Sequence, residues 1–287
     1  MLTIFTPTYN RAHQLPRLYE SLLAQRCFDF EWLIVDDGSG DDTRQVVQSF
    51  LNNGRFPVRY CHKENGGKHT AYNLALEEAA GDWFFCVDSD DLLAPDGVAH
   101  IAEAVGQHPD RGIIAYKKTI DGKRLSGDFP AGVTACKLHE LALKYGCGGE
   151  FSLVFPTNLA RKFPFPVFAG ERFVTESVVY DRIDSIADMQ LLPKVLTVCE
   201  YQADGYSQNA DGIMKQNPTG YCLYFMQRID LQPSFGPRLS HAGKYWCFRW
   251  ISKNKTLRYE GKHKALVALA VIPGIVFRAY YKIFRKI

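Results

Sequence analysis

The chain has 287 residues, of which 46% are hydrophobic and 23% are charged. This length and composition allow one large α/β domain with an extension, or two small domains, and they exclude a largely disordered chain. The net charge of +3 is unevenly distributed, because residues 241–287 carry eleven Lys or Arg and one acid, Glu260, against 23 bases and 30 acids in residues 1–240. A mildly acidic body therefore precedes a strongly basic C-terminal segment.

The eight cysteines and the first residues indicate the compartment. No two cysteines are closer than eleven positions, so the zinc-type CxxC pair is absent from the sequence. Several lie in apolar runs, which predicts buried free thiols in a reducing compartment. The opening MLTIFTPTYN has neither a basic stretch nor a long apolar stretch, so we expect no secretory signal.

Short apolar runs alternate with helical patterns through the first 120 residues. Strands are predicted at residues 2–6, 30–35, 58–61, 83–87 and 112–116. Helices are predicted around residues 15–23, from Asp41 or Asp42 to 51, over 69–80, and after Pro95-Asp96. This alternation predicts an α/β fold with a mostly parallel central sheet flanked by helices, in which ligands bind beyond the carboxyl ends of the strands.

The second half of the chain is less regular. Helices are predicted near residues 137–145 and over 174–187, and strands near 151–155 and over 195–201. Neither an internal repeat nor a low-complexity tract is present in the sequence.

The stretch Asp88-Ser89-Asp90-Asp91 places three carboxylates within four positions, directly after an apolar strand. Two unit charges 4 Å apart repel by about 4 kcal/mol at an effective dielectric constant of 20. Solvent, a raised pKa or a bound cation must offset this repulsion, and oxygen ligands suit Mg²⁺ or Mn²⁺. The alternative is a solvated acidic turn in which Asp91 or Asp96 caps the next helix.

Two other polar clusters follow strands. Asp36-Asp37-Gly38-Ser39 offers a carboxylate to a nucleobase or a ribose hydroxyl, although the same residues are typical of a turn with a helix cap. Tyr9 follows the first strand and is able either to stack on a base or to pack in the core. Asn65-Gly66-Gly67-Lys68-His69 is typical of an anion-holding turn before a helix, or of a plain turn, and it is not a Walker A loop.

Taken in order, these clusters resemble family 2 of the glycosyltransferases, which have the GT-A fold. The matching stretches are TIFTPTYNR, WLIVDDGSGDDT, ENGGKHTAYNLALEEAAGD and WFFCVDSDDLLAPD. The resemblance is strong over residues 1–120 and looser to about residue 225. It implies a Rossmann-like GT-A catalytic domain over residues 1–225, with a nucleotide-binding half at 1–120 and an acceptor-binding half at 121–225. A basic, amphipathic helical extension would occupy residues 226–287.

The resemblance also implies roles for individual residues. Asp88 and Asp90 match the DxD motif that holds Mn²⁺ or Mg²⁺, and Asp90 is the better candidate for direct ligation. Asp37 would bind the nucleobase in a pocket that Thr8 and Tyr9 line. The residues implied to contact the nucleotide are Thr8, Tyr9, Asp37, Asn65, Lys68 and Ser89.

Family 2 enzymes use an acidic residue of the second half to deprotonate the acceptor hydroxyl, usually within a Glu-Asp pair at a helix start. Glu176 matches the first acid of that pair, while Ser177 stands in place of the second. Glu171 is the competing candidate for the base. Without a catalytic role, Glu176 would be a first-turn helix residue that the helix dipole favours. The run Cys199-Glu200-Tyr201, together with residues 204–209 and 217–221, resembles the closing segment of bacterial polysaccharide members.

The function implied by the resemblance is that of a metal-dependent, inverting hexosyltransferase. The donor would be a nucleotide-sugar, with UDP favoured, and the acceptor a saccharide or a lipid-linked saccharide in surface polysaccharide biosynthesis. A sugar-1-phosphate nucleotidyltransferase is the enzyme alternative, but the first strand leads into Pro7-Thr8-Tyr9-Asn10 rather than a Gly- and Arg-rich loop. Ser177 also leaves open a nucleotide-sugar-binding relative without catalytic activity.

The basic C-terminal segment contains an apolar run of thirteen residues, 265–277. As a helix it would span about 20 Å, less than the hydrocarbon core of about 30 Å, and Pro273-Gly274 is expected to interrupt it. We therefore expect peripheral association of residues 253–287 with an anionic membrane, to which each nearby Lys or Arg contributes about 1 kcal/mol. The alternative is a helix packed on the protein or in an oligomer. Nucleic-acid binding is a further alternative, but no recognised module for it accompanies the charge. The predicted location is the cytoplasm, with peripheral association at the inner face of the cell membrane.

Overall fold

The computed structural model describes residues 1–51, 54–200, 209–285 and 287. The chain forms two compact units: unit 1 comprises Met1–Pro164 and Arg182–Gln202, and unit 2 comprises Phe165–Asp181 and Ala203–Ile287. The expected boundary between residues 225 and 226 falls inside a helix of unit 2. The catalytic domain over residues 1–225 stays a prediction.

Unit 1 is built around one mixed sheet, whose nine strands all lie within the described residues. In chain order these are β1 Leu2–Thr8, β2 Phe30–Asp36, β3 Val58–His62, β4 Trp83–Cys86, β5 Leu92–Leu93, β6 Ile113–Thr119, β7 Ala135–Cys136, β8 Phe151–Pro156 and β9 Met189–Cys199. The helices that precede unit 2 are α1 Leu15–Leu23, α2 Thr43–Phe50, α3 Lys68–Glu78, α4 Gly97–Gln107, α5 Leu138–Leu143 and α6 Thr157–Ala160. The helix α7 Ser177–Ile186 follows.

The strands lie in the order β3-β2-β1-β4-β8-β6-β9-β5, and β7 pairs with β9. The pairs β3–β2, β2–β1, β1–β4 and β6–β9 are parallel, whereas β8 runs antiparallel to both β4 and β6. The predicted α/β fold with a central sheet flanked by helices is therefore confirmed. Apart from the two-residue strand β5, which pairs antiparallel with β9, the antiparallel strands belong to the second half, where the sequence shows no regular strand–helix alternation.

Buried apolar side chains explain the strands β1, β2 and β4, whereas β3 is half-buried. Every residue of β1 and β2 is buried, as expected for strands covered on both faces. The apolar positions of α1 that predicted a helix, Leu15, Leu18 and Leu22, are fully buried against this core. The eight cysteines are all free thiols, five of them buried and three half-buried, as the apolar surroundings predicted.

The strand predicted over residues 195–201 begins earlier, at Met189, and ends at Cys199. Its pairing with β6 shifts register so that Leu192 and Val195 face successive residues of β6, which leaves Pro193 and Lys194 out of the ladder. Proline lacks the N–H that a ladder needs, so a bulge lets the strand continue through it. Residues 201–208, which include part of the predicted closing segment, lie outside the described residues.

Unit 2 is helical. Its elements after α7 are α8 Ala210–Gln216, α9 Pro218–Leu231, α10 Phe235–Ile251, α11 Lys264–Leu269, α12 Val271–Tyr280 and a π-helical turn Tyr281–Arg285. Side chains from α9, α10, α11 and the π-helical turn form its core, and Phe277 of α12 packs against it. Among the described residues, no helix combines the length and the hydropathy that a membrane span requires.

The interruption predicted at Pro273-Gly274 is wrong. Both residues lie in the first turns of α12, and the break in the helical path falls at Ala270 instead. Proline is tolerated there because the first N–H groups of a helix have no acceptor within it. A Cβ on Gly274 would lie 2.7 Å from the Cβ of Trp246, so this glycine lets α12 approach α10 closely.

Candidate functional site

Three polar loops of unit 1 meet at one edge of the sheet. The strand β1 lies between β2 and β4 in parallel, with Thr8 opposite Asp36 and the N–H of Val87 donating to the carbonyl oxygen of Phe5 at 2.9 Å. The carboxyl ends of these neighbouring strands therefore point the same way. The polar clusters that follow β1, β2 and β4 meet where the α/β rule predicts a ligand site.

The carboxylate of Asp37 organises the turn in front of α3. One oxygen accepts hydrogen bonds from Lys63 Nζ at 2.6 Å and the N–H of Gly66 at 3.0 Å, and the other accepts from the N–H of Gly67 at 2.7 Å. A carboxylate offers about four lone-pair positions, so these three bonds leave little acceptor capacity for a ligand. Asp37 thus fixes the turn in front of α3 and occupies the N–H groups of Gly66 and Gly67; an anion-holding role of this turn stays a prediction.

The glycine after Asp37 is required by close packing. Gly38 has a φ of 86°, and a Cβ there would lie 2.9 Å from the backbone nitrogen of Asn65. The Asn65 side chain donates to the carbonyl oxygen of Asp37 at 2.9 Å. The turns that follow β2 and β3 are therefore held against each other on both sides of Asp37.

The loop after β1 is tied to the loop after β2. The N–H of Asn10 donates to Ser39 Oγ at 2.9 Å, and the N–H of Gly40 donates to Asn10 Oδ1 at 2.8 Å. Tyr9 is 49% exposed and so is not part of the core. Thr8 is buried, and its hydroxyl has no hydrogen-bond partner in the part of the chain that the structure describes. An exposed ring beside an unsatisfied hydroxyl suits the walls of a polar pocket.

Two lysines already face the acidic cluster after β4. Lys68 Nζ lies 2.6 Å and 2.8 Å from the two carboxylate oxygens of Asp88, whose side chain is 36% exposed. Lys117 Nζ, on β6, lies 3.4 Å from a carboxylate oxygen of the buried Asp91. Ser89 is buried between the acidic residues in sequence. The cluster is therefore partly neutralised by residues that are distant in the chain.

The pKa values of the three carboxyl groups diverge. Burial raises the pKa of Asp90, and the charge of Asp88 raises it further. Burial likewise raises the pKa of Asp91 to about 6, although Lys117 opposes the change. For Asp88 burial acts upward, but the charges of Lys68 and Lys117 prevail and lower its pKa. The negative charge of Asp90 is thus unfavourable in this site, and a cation beside it would be stabilising.

The donor set fits a divalent ion only with help from a substrate. Within residues 1–51, 54–200, 209–285 and 287, no three His, Cys, Asp or Glu side chains form a metal-binding cluster. Mg²⁺ is commonly held by one or two carboxylates together with substrate phosphates and water. Asp88 and Asp90 supply such carboxylate oxygens at the ligand edge of the sheet, where burial and the charge of Asp88 raise the pKa of Asp90 and a nearby cation would lower it.

The two candidate bases of unit 2 lie in different surroundings. The carboxylate of Glu171 accepts from the N–H of Thr219 at 2.8 Å and 3.0 Å and from the N–H of Gly220 at 2.9 Å. It therefore caps the N-terminus of α9, where a negative charge is favourable. Glu176 directly precedes α7 and is half-buried. The capping contacts give Glu171 a structural role that the sequence did not reveal.

Sequence reasoning missed two lysines of the site. Lys63 directly follows β3, and Lys117 lies in the second half of β6, which runs in the same direction as β4. Both therefore approach the same edge of the sheet as the acidic cluster. The available signal was a basic residue at or near the carboxyl end of a parallel strand.

Residues 3–129 match the family described as Glycosyl transferase family 2. They form a family 2 glycosyltransferase domain. A protein of Haemophilus influenzae described as an uncharacterized glycosyltransferase is 35% identical over 117 residues, which are 40% of this chain and 38% of that protein. The chondroitin synthase of Pasteurella multocida is 40% identical over 99 residues, which are 34% of this chain and 10% of that enzyme. The family 2 domain thus corresponds to well under half the length of these relatives.

Solved structures with a similar fold cover nearly the whole chain. S. aureus TarS 1-349 in complex with UDP-GlcNAc has a TM-score of 0.63 at 16% identity, with 98% of this chain and 91% of that chain covered. The mannosyltransferase PcManGT of Pyrobaculum calidifontis in complex with GDP-Man and Mn²⁺ has a TM-score of 0.56 at 19% identity, with 99% and 83% covered. The family 2 domain has the GT-A fold that its sequence motifs predicted.

Proposed function

We propose that this glycosyltransferase takes a sugar from a UDP-sugar and transfers it to the hydroxyl of a saccharide or a lipid-linked saccharide. The observation that carries the proposal is the meeting of three polar strand ends at one sheet edge, with Asp88 and Asp90 beside Lys68. An acidic pair next to a lysine suits a metal-bound diphosphate. UDP-GlcNAc bound to one structure of the same fold supports UDP, and GDP-Man bound to another supports a nucleotide-sugar as the class of donor.

In the proposed donor site, the exposed ring of Tyr9 stacks on the base, and Thr8 offers its buried hydroxyl. Asp37 holds the Gly66–Gly67 turn and uses its remaining acceptor position for the base. Asn65, Lys68 and Ser89 border the ribose and the phosphates. Asp88 and Asp90 would hold Mn²⁺ or Mg²⁺, which when bound would neutralise charge on the leaving diphosphate.

Glu176 is the proposed general base. It would take the proton from the acceptor hydroxyl, whose oxygen then attacks the anomeric carbon from the face opposite the diphosphate, with inversion. A positioned base contributes on the order of 10²–10⁴-fold to such a step. The choice of Glu176 over Glu171 is supported by the capping of α9, which engages the Glu171 carboxylate with two backbone N–H groups.

We also propose that the enzyme works in polysaccharide biosynthesis, at the inner face of the cell membrane, with residues 253–287 providing peripheral association. The basic excess of the C-terminal segment supports an anionic membrane. The identity of a relative as a chondroitin synthase supports a saccharide acceptor. Nucleic acid is not a proposed partner.

Calorimetric titration of UDP tests the donor site. We expect UDP to bind the wild-type protein in the presence of Mn²⁺, and binding to fall at least about tenfold in Asp90→Ala, a loss of about 1.4 kcal/mol. Asp42→Ala is the matched control, because this exposed aspartate lies in the neighbouring loop. Failure of UDP, GDP and dTDP alike to bind with metal present would overturn the proposal.

Two glutamate variants test the base. Glu176→Gln should bind UDP as the wild type does and transfer about 10²–10⁴-fold more slowly. Glu171→Gln should instead lower the stability of the protein, because it weakens the cap of α9. Full transfer activity in Glu176→Gln would show that Glu176 is not the base. Loss of transfer with intact UDP binding would show that the wild-type protein is an enzyme and does more than bind the nucleotide-sugar.

A further inference from the structure

A row of large apolar side chains in unit 2 projects into solvent. These residues are each between 58% and 72% exposed, and they are Leu269, Ile272, Ile275, Val276, Ile283 and Phe284. They recur at intervals of three or seven positions, or in adjacent pairs, along α11, α12 and the π-helical turn, and such intervals place them on one side of the helical path. We refer to them as the exposed apolar stripe. Globular proteins rarely leave so continuous an apolar face without a partner.

A cleft with two cations adjoins this stripe. Its volume is about 420 Å³, and it is lined by Trp250, Ile275, Arg278, Ala279 and Lys282. The indole of Trp250 is 39% exposed. The walls are almost entirely apolar and consist of an aromatic ring and aliphatic carbons, including those of the Arg278 and Lys282 side chains. Apolar walls suit an acyl chain, and the cationic ends of the same two side chains suit the anionic head group attached to it.

A second cleft shares the Trp250 side chain. It has a volume of about 460 Å³, and Arg249, Lys255 and Arg258 contribute to its lining. Arg249 and Lys255 donate hydrogen bonds to backbone carbonyl oxygens that follow α10, so these contacts do not neutralise their charges. Positively charged residues therefore line both of the clefts that Trp250 borders.

The charge of the surrounding segment indicates which partner binds the exposed apolar stripe. Residues 241–287 hold eleven Lys or Arg and a single acid, Glu260. Two copies of this face would bring Arg278 and Lys282 of each chain towards one another, which opposes self-association. An anionic lipid surface instead offers phosphates to the cations and an acyl boundary to the stripe.

We infer that the exposed apolar stripe and the Trp250 cleft form a binding site for anionic phospholipids. Arg278 and Lys282 meet the lipid phosphate, while Ile272 and Val276 enter the boundary between head groups and acyl chains. From residue 269 to 284 the helical path is about 24 Å long, so it lies along the interface rather than across it. The inference rests on the proposed peripheral location and deepens it by naming the side chains that meet the lipid.

Vesicle co-sedimentation of the full chain tests the inference. The wild-type protein should bind vesicles of phosphatidylcholine with phosphatidylglycerol, bind less as salt is added, and bind weakly to phosphatidylcholine alone. The double variant Arg278→Gln/Lys282→Gln should lose about 30-fold in affinity, as expected for two charges near an anionic surface. The double variant Ile272→Ser/Val276→Ser should also lose binding, but to both kinds of vesicle.

The matched control is Ile120→Ser/Lys123→Gln, which removes an exposed apolar residue and an exposed cation of unit 1. It should bind vesicles as the wild type does. UDP titration on every variant measures the donor site without lipid. A protein that binds UDP but not vesicles would refute the lipid site alone, and a protein that does not bind UDP would refute the proposed function. Wild-type protein that ignores anionic vesicles, or α12 variants that bind like the control, would overturn the inference. Lipid-free dimerisation abolished by the Ile272 and Val276 changes would overturn it in favour of a second copy of the chain.

Discussion

Replacing Asp37 by asparagine measures how much this carboxylate stabilises the folded protein apart from any ligand. Its two oxygens accept hydrogen bonds from Lys63 Nζ and from the N–H groups of Gly66 and Gly67, at 2.6–3.0 Å. Asparagine keeps the size of the side chain but exchanges one acceptor oxygen for an NH₂ group. At least one donor would then face another donor, and the ammonium group of Lys63 would lose its counter-charge.

The expected cost follows from burial. A hydrogen bond to a charged group contributes about 1.5–3 kcal/mol, and an unpaired buried donor costs about 1–3 kcal/mol. The side chain of Asp37 is 5% exposed and that of Lys63 is 22% exposed, so the lysine recovers part of its solvation by turning towards water. We therefore expect Asp37→Asn to lower the free energy of unfolding by about 2–4 kcal/mol. Each kcal/mol lowers the melting temperature by about 2–4 °C in a unit of 150–250 residues.

Urea denaturation followed by tryptophan fluorescence measures this loss. Asp42→Asn is the control, because Asp42 is exposed, and it should change the free energy of unfolding by less than about 0.5 kcal/mol. Equal stability of the two variants would refute the reasoning from hydrogen bonds. If UDP binding disappeared while stability was unchanged, the importance of Asp37 would lie in the ligand alone.

Three further predictions concern unit 1. Gly38→Ala should destabilise the protein by about 1–3 kcal/mol, because φ is 86° and the new Cβ would lie 2.9 Å from a backbone nitrogen, whereas Gly40→Ala has open space and should be nearly neutral. Equal urea midpoints for the two variants would contradict this. Burial lowers the pKa of His69 below its usual 6.5. The free energy of unfolding should therefore be highest above pH 6.5 and should fall as the pH drops from 6.5 towards the lowered pKa of the folded protein. His69→Asn should reduce this dependence of the free energy of unfolding on pH. A slope unchanged in the variant would assign the effect to another group. Burial raises the pKa of Cys136 to about 11, so Ellman's reagent should modify it only after unfolding, and rapid labelling of this thiol in the native protein, detected by mass spectrometry, would show that it is accessible.

Tertiary contacts changed the meaning of several residues that the sequence had singled out. Glu171 was a candidate base, but its carboxylate caps α9 through residues more than forty positions away. Pro273 was expected to interrupt a helix, yet it lies in the first turn of α12, where a missing N–H has no consequence. Both outcomes depend on where an element begins, and helix starts are weakly marked in the sequence.

The local pattern of the sequence determined most strands and helices of residues 1–120 and the polar clusters at the strand ends, because burial of apolar side chains follows a short period along the chain. It did not reveal the two-residue strands β5 and β7 or the separate helices of unit 2. The central sheet, the GT-A fold and the edge at which the site lies followed from that pattern and from the resemblance of the motifs. Only the tertiary structure decided which cation faces which carboxylate. Asp88 meets Lys68 across 20 positions and Asp91 meets Lys117 across 26. Charge pairing and the resulting pKa values depend on distances of a few ångströms between residues far apart in the chain, and no periodicity encodes those distances.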